Sequence, residues 1–209
     1  MALLFIRFFM QLVLDQDFNA MTKEFEKLFS IPYLDTLEFS DDKALLWLKK
    51  CLAKKRKSKQ FHIANRFTLA LFENSFHQKA IPPLIIKQTN PLVGLGVFAR
   101  KNLKPLTFIG QYSGVVRPRN KKADDSNDYV FRYVDSRFSV PYVIDAKDKG
   151  NLCRFLNHSD QPNLLSRSLV LGDSYHVIFY SKEPIKEGEQ LTYDYGPYYW
   201  RKRANPLFL

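Results

Sequence analysis

The sequence predicts a mainly β domain of short strands behind an α-helical N-terminal segment. Two features predict it. From about residue 84, short apolar or alternating runs are separated by Gly, Pro, Asn and Asp, as brief strands joined by turns would be. Before residue 80, apolar residues recur at helical spacing instead. Pro82-Pro83 marks the change, because neither proline can donate a helical hydrogen bond.

In chain order, the run from Met1 to Leu14 is apolar but interrupted by Arg7. It is too short to span a bilayer, and no small-residue cleavage site follows it. It is read as the buried face of a first helix. Residues 18–29 mix polar and apolar residues at helical spacing, and Ile31-Pro32 ends them. Ser40 or Asp41 suits the N-cap of a second helix, whose Ala44, Leu45, Leu48 and Leu52 form one stripe. That helix runs into Lys54-Lys55-Arg56-Lys57-Ser58-Lys59, where cations meet the negative end of the helix dipole. A third helix is expected over residues 63–76. Strands are expected over residues 84–87, 96–100, 108–112, 129–134, 140–144, 164–169 and 176–180. Residues 120–127, with Lys121-Lys122 and Asp124-Asp125, read as an exposed loop.

The chain of 209 residues is long enough for one packed domain plus an accessory segment, or for two small domains. Hydrophobic residues make up 45% and charged residues 25%, both ordinary for a globular protein. Aromatics reach 15%, with 18 Phe and 11 Tyr, so the core and its pockets are built from rings. The formal net charge of +11 favours acidic partners such as nucleic acid or an anionic surface, or serves solubility alone. Cys51 and Cys153 are the only cysteines and show no CxxC spacing. Neither a disulfide framework nor a structural zinc site is expected, and a reducing environment is.

Four short elements carry the chemistry. Gly94-Leu95-Gly96 alone is a turn signal, outside any dinucleotide or P-loop pattern. Tyr112-Ser113-Gly114 alone offers a core tyrosine whose hydroxyl finds a backbone acceptor. Arg154-Phe155-Leu156-Asn157-His158-Ser159-Asp160-Gln161-Pro162-Asn163 contains a glycosylation sequon and a Ser, His and Asp in a row. Neighbours in sequence diverge and cannot make a catalytic triad, and no secretory signal supports glycosylation. Leu191-Thr192-Tyr193-Asp194-Tyr195-Gly196 follows about thirty residues later.

Together, in this order, the four elements resemble the SET domain of protein lysine methyltransferases. The resemblance covers roughly residues 84–196, with Val143-Ile144-Asp145-Ala146, Gly150-Asn151 and the turn Glu183 to Gln190 matching between the motifs. It implies a mainly β SET fold, with short strands in several small sheets and a knot-like C-terminal threading. Residues 1–80 would be a helical N-terminal segment and residues 197–209 an aromatic tail closing the cofactor site. The implied cofactor is S-adenosyl-L-methionine, held by Gly94, Leu95, Gly96, Arg154, Phe155, Asn157, His158, Tyr195 and Trp200. The implied catalytic residues are Tyr195, Tyr193 and Tyr112, with no metal. Tyr112 would line the lysine channel. Tyr195 would sit beside the transferred methyl group, and Tyr193, standing where the family has Phe or Tyr, leans toward monomethylation. The chain departs from the family pattern in having Gln111 where an acidic residue is frequent, and in lacking flanking cysteine clusters.

The lack of cysteine clusters and the helical N-terminal segment are similar to stand-alone SET proteins of intracellular, chlamydia-like bacteria. That likeness implies a lysine-containing histone or histone-like substrate. It also implies a location in the bacterial cytoplasm or, as a secreted effector, in a host cell and its nucleus. Lys49-Lys50 with the run from Lys54 to Lys59 fits a bipartite nuclear import signal or a solvated helix end. The basic surface offers a nucleic-acid partner, and Asp124, Asp125 and Asp128 an acidic patch for a lysine-rich peptide. No membrane partner is expected. A catalytically inactive SET-fold protein that binds nucleic acid or acts as a scaffold is the reading from another class.

Overall fold

The computed structural model describes residues 11–14, 17–91, 93–133, 141–200 and 203. Residues 1–10 of the apolar N-terminal run lie outside the described residues. Its end is not helical: Leu12–Val13 forms a strand, β1, antiparallel to Ile85 and Ile86. Leu12 and Leu14 point inward and are buried while Val13 between them is not, the two-residue period of a strand.

Three helices follow. In α1 (Phe18–Phe29), Asp17 caps the first turn by accepting from the N–H groups of Asn19 and Ala20, and Ser30 ends it in the left-handed region. Its buried Phe25 meets Tyr33 edge-on at 5.1 Å and Phe155 at 6.0 Å. In α2 (Asp42–Lys55), Asp41 is the cap, accepting from Ala44 N–H, and Ala44, Leu48 and Leu52 form the buried stripe. Leu45 of the expected stripe is exposed. The third helix, α3 (Lys59–His77), starts earlier than expected, at the Ser58 cap. The basic run is therefore split between two helix ends and the turn joining them.

The remainder is β-rich. In chain order come β2 (Glu38–Phe39), β3 (Leu84–Asn90), β4 (Gly94–Ala99), β5 (Phe108–Gln111), β6 (Val115–Pro118), β7 (Val130–Arg132), β8 (Tyr142–Asp145), β9 (Asn157–His158), β10 (Leu164–Leu171), β11 (Ser174–Ser181) and β12 (Thr192–Tyr193). They assemble into small sheets ordered β1-β3-β4, β10-β11-β5, β2-β6-β8-β7 and β12-β9. Gly94-Leu95-Gly96 lies inside β4 instead of ahead of it. The expected loop at 120–127 contains a helical turn, α4 (Lys121–Asp124), because Asn120 caps it and Arg117 bridges Asp124 to Asp145. Pro197–Trp200 forms a last turn, α5.

The helical segment is docked on the sheets. Asn65 of α3 bonds the edge strand β10 twice: its Nδ2 donates to Val170 O at 3.0 Å, and its Oδ1 accepts from Val170 N–H at 2.8 Å. The amide thereby occupies an exposed ladder position. Phe72 packs on Tyr180 at 4.7 Å. His176 of β11 lies 4.6 Å from the Phe76 ring and donates from Nδ1 to Gln111 Oε1 at 2.9 Å. The Gln111 amide in turn donates to Asp35 O.

Burial, and then the nearby His77, lower the His176 pKa from 6.5 to about 4. Between those two values the unfolded chain binds the proton and the folded chain does not. Stability is therefore complete above pH 6.5 and is lost as pH falls toward 4, by at most about 3 kcal/mol. Denaturant midpoints recorded from pH 7 to pH 4 should drop over this window, and His176→Gln should flatten the drop.

Candidate active site

A two-residue parallel ladder organises the site. Asn157 pairs with Thr192 and His158 with Tyr193. So short a ladder gains little by itself, and side chains hold it. Asn163 donates from Nδ2 to Gln190 O at 2.8 Å and accepts at Oδ1 from Thr192 N–H at 3.0 Å. Upstream, the 3-10 turn Leu152–Phe155 is capped by Asn151. The Asn151 amide also donates to Gln111 O and Ser113 Oγ, at 2.9 and 3.2 Å. The Tyr112-Ser113-Gly114 element is thereby joined to the Asn157–His158 turn.

Both turn residues position something else. Asn157 Nδ2 donates to Leu95 O at 3.0 Å, attaching β9 to the glycine strand. His158 accepts at Nδ1 from Tyr195 N–H at 3.2 Å and reaches Asp160 Oδ1 from Nε2 at 3.2 Å. A carboxylate only accepts, which assigns the neutral ring its proton on Nε2. The ring nitrogens are thus occupied by protein groups, and the imidazole fixes the backbone at Tyr195.

Three tyrosines converge there. Tyr193 lies 4.7 Å from Tyr195 and 4.7 Å from Phe179 between ring centroids. Tyr112 lies 5.2 Å from Phe131, which is 6.2 Å from Tyr193. The Tyr112 hydroxyl donates to Tyr129 O at 2.7 Å and the Tyr195 hydroxyl to Leu156 O at 2.8 Å. Among the described residues the Tyr193 hydroxyl has no hydrogen-bond partner. Burial foremost, and then neighbouring groups, push all three phenols well above their ordinary pKa. None is a phenolate near neutral pH. Tyr193 and Tyr195 line a cavity of about 470 Å³, together with Phe131, Val177, Tyr175 and Tyr199.

Tyr195 also lies 5.4 Å from His158 and 6.2 Å from Trp200, whose ring is stacked on it with a 12° tilt, and neither of the two lines the cavity. Trp200 lies 4.8 Å from His158. Among the described residues its Nε1 is buried without a partner, as are Thr89 Oγ1 and Gln190 Nε2. The latter two face Gly96: a Cβ there would meet them at 2.4 and 3.0 Å, and Asn157 Nδ2 at 3.1 Å. Glycine at 96 thus admits protein side chains close to the backbone. Gly94, at φ +86°, has open space where a Cβ would point. Unsatisfied donors and an open glycine around one turn suit a ligand with a polar amino-acid end and a flat ring.

Two expected ligand-binding residues are spent elsewhere. Arg154 donates to Ala146 O at 2.8 Å and Lys147 O at 3.1 Å, with its guanidinium 3.9 Å over the Tyr129 ring. Phe155 packs on Phe29 at 4.8 Å, in the core under α1. The expected acidic patch is also engaged. Asp124 pairs with Arg117, and Asp128 accepts from Arg203 and from Tyr199, at 3.1 and 3.0 Å. Arg203 further donates to Asn127 O at 3.0 Å and stacks on Tyr199 at 4.0 Å. It straps the end of α5 across the cavity wall. Phe131 and Arg203 were missed from sequence, while Asn163 was read only as part of the motif and Tyr199 only as part of the aromatic tail.

Comparison with known proteins agrees with this geometry. Residues 94–196 match the model of the SET domain. Histone-lysine N-methyltransferase set-2 of Caenorhabditis elegans is 35% identical over 107 residues, which are 49% of this chain and 7% of that protein. Histone-lysine N-methyltransferase Set8 of Drosophila melanogaster is 33% identical over 111 residues, 49% of this chain and 16% of that one. The chain thus spans a small fraction of the length of these relatives. Among solved structures, Arabidopsis thaliana SUVH6 in complex with SAM aligns with a TM-score of 0.52 at 28% identity, covering 61% of this chain and 31% of its own. KRYPTONITE with mCHH DNA, an H3(1-15) peptide and SAH aligns at 0.50 and 28%, covering 62% and 26%. The chain contains a SET domain with a SET fold.

Replacing Gly96 by Ala should force apart Thr89, Gln190 and Asn157. A loss of about 1–3 kcal/mol in urea unfolding is expected, with the Asn157–Leu95 attachment weakened alongside.

Proposed function

We propose, on the premise that residues 94–196 form a SET domain, that this chain is an S-adenosylmethionine-dependent protein-lysine N-methyltransferase. The observation that carries the reading is the double role of Tyr195, which lines the cavity and also neighbours His158 and Trp200, neither of which lines it. The backbone of Gly94, Leu95 and Gly96, with Asn157, His158 and Trp200, would hold the cofactor. When bound, S-adenosylmethionine supplies a methyl group on a sulfonium sulfur that leaves as a thioether.

The rest falls to the chain's own residues. The cavity takes the substrate lysine side chain, with Phe131, Tyr193 and Tyr195 as its aromatic walls. A lysine amine attacks only when deprotonated, and its ordinary pKa is about 10.4. Apolar walls beside a positive sulfonium disfavour the ammonium form. The neutral phenols hold no negative charge that would retain it, and His158 is occupied, so the proton leaves through solvent. The Tyr195 hydroxyl, fixed on Leu156 O, keeps a lone pair for an amine N–H. Its position aligns nucleophile and methyl carbon, and alignment supplies most of the acceleration.

Tyr193 bears on how many methyl groups are added. Its free hydroxyl can accept from the amine and fill the space a second methyl would need, which supports monomethylation. The substrate is a histone or histone-like protein, in keeping with the named activities of the relatives and the H3 peptide in the KRYPTONITE complex.

With labelled cofactor and histone substrate, Tyr195→Phe should lower kcat by about 10²-fold with little change in cofactor affinity. Full activity in that variant would remove Tyr195 from the mechanism. Mass spectra of the products of Tyr193→Phe should gain dimethyl-lysine. An unchanged monomethyl product would count against the role of its hydroxyl.

A further inference from the structure

The positive charge of this chain is concentrated in one stretch. Residues 43–72 contain nine Lys and Arg and no Asp or Glu, whereas the other 179 residues carry 23 against 21. The structure folds this stretch into α2, the turn at Arg56 to Ser58, and α3. Lys43, Lys49, Lys50, Lys54, Lys57 and Lys59 are exposed, and none of them pairs with an acid among the described residues.

We propose that the outer face of α2, continued by the turn into α3, binds the phosphate backbone of duplex DNA. Three observations lead there. Lys43, Lys50 and Lys54 fall within about 40° of one another around the helix and span about 16 Å along it, the rise of about five base pairs. Opposite them Ala44, Leu48 and Leu52 are buried, so the helix presents this face outward as a fixed array. Lysine is also the cation available. Arg56 is committed to Gly172 O and Asp173, and no exposed Asn, Gln or Arg shares the α2 face. Point charges on flexible stems contact phosphates and read no base edges, so binding is independent of sequence.

A lipid surface fits less well. Leu45 and Leu46 are the exposed large apolar side chains of α2, too little to insert into a bilayer. The exposed stripe of Ile63, Phe67 and Leu71 belongs to α3, beyond the cationic turn. The end of α2 reaches the tyrosine cavity: the Lys55 ammonium lies 6.0 Å from the ring of Tyr175, which lines that cavity. DNA held there would present its own bound, lysine-rich proteins at the cavity mouth and offset their repulsion from a basic chain. DNA binding itself does not rest on the methyltransferase reading.

Fluorescence anisotropy of the full chain with labelled 20-base-pair duplexes tests this, across a salt series. Two unrelated sequences should bind with equal, micromolar affinity. Exchanging Lys43, Lys50 and Lys54 for Gln should weaken binding at least tenfold. The slope of log K against log salt should shrink by about 2 to 3. A thermal melt checks that the variant is folded, and the pair Lys50→Gln and Lys54→Gln serves with two-thirds of the slope change if it is not. An unchanged slope in a folded variant overturns the proposal. So does binding of the wild-type chain to phosphatidylserine vesicles and not to duplex.

Discussion

The site depends on a parallel contact between two segments of two residues each. β9 and β12 are separated by more than thirty positions, and bringing them together costs loop-closure entropy that their few backbone bonds barely offset. Side-chain amides and one imidazole supply the rest. Asn163 bridges the ladder end, Asn157 attaches it to β4, and His158 holds the backbone of Tyr195. Without these bonds, the tyrosines would have no fixed relation to Gly94-Leu95-Gly96. Orientation of a reacting group to within an ångström is worth orders of magnitude in rate, so the ladder is where sequence becomes chemistry.

Around the ladder the chain relies on rings instead of charges. Tyr112, Tyr193 and Tyr195 are buried deeply enough to stay neutral, and Phe131 and Phe179 fill the space between them. A charged base in this setting would be costly to desolvate. The neutral phenols instead act through geometry and dipoles, with hydroxyls fixed on the carbonyls of Tyr129 and Leu156. The ionic contacts lie at the rim, where Arg117 bridges two aspartates and Arg203 straps α5 onto the 124–128 turn. Arg203, Asp124 and Asp128 line the cavity together with its rings.

The helices were legible because their signals are local. Asp41 caps α2, Ala44, Leu48 and Leu52 stripe it, and Pro82-Pro83 ends the helical region. The longer strands β3, β10 and β11 were legible in the same way, from runs long enough to alternate. β1, β2, β9 and β12 were not, since two residues carry no period. The clustering of Tyr112, Tyr193 and Tyr195 was implied by family resemblance alone, because nothing local draws three distant tyrosines together. The side chains of Phe155 and Arg154 serve the core beneath α1 and the Tyr129 ring, which no local signal announced. The bareness of Gly96 is required by Thr89, Gln190 and Asn157. These are long-range packing facts, and no window of sequence contains them.

The central claim is that Tyr195 separates two binding places, one for a methyl donor and one for a lysine. A crystal structure with S-adenosylhomocysteine tests it most directly. The account predicts the ligand against Gly94, Asn157 and Trp200, with its sulfur in van der Waals contact with the Tyr195 ring. A ligand bound inside the cavity of Phe131 and Tyr193, or nowhere near the Asn157–His158 turn, would contradict it.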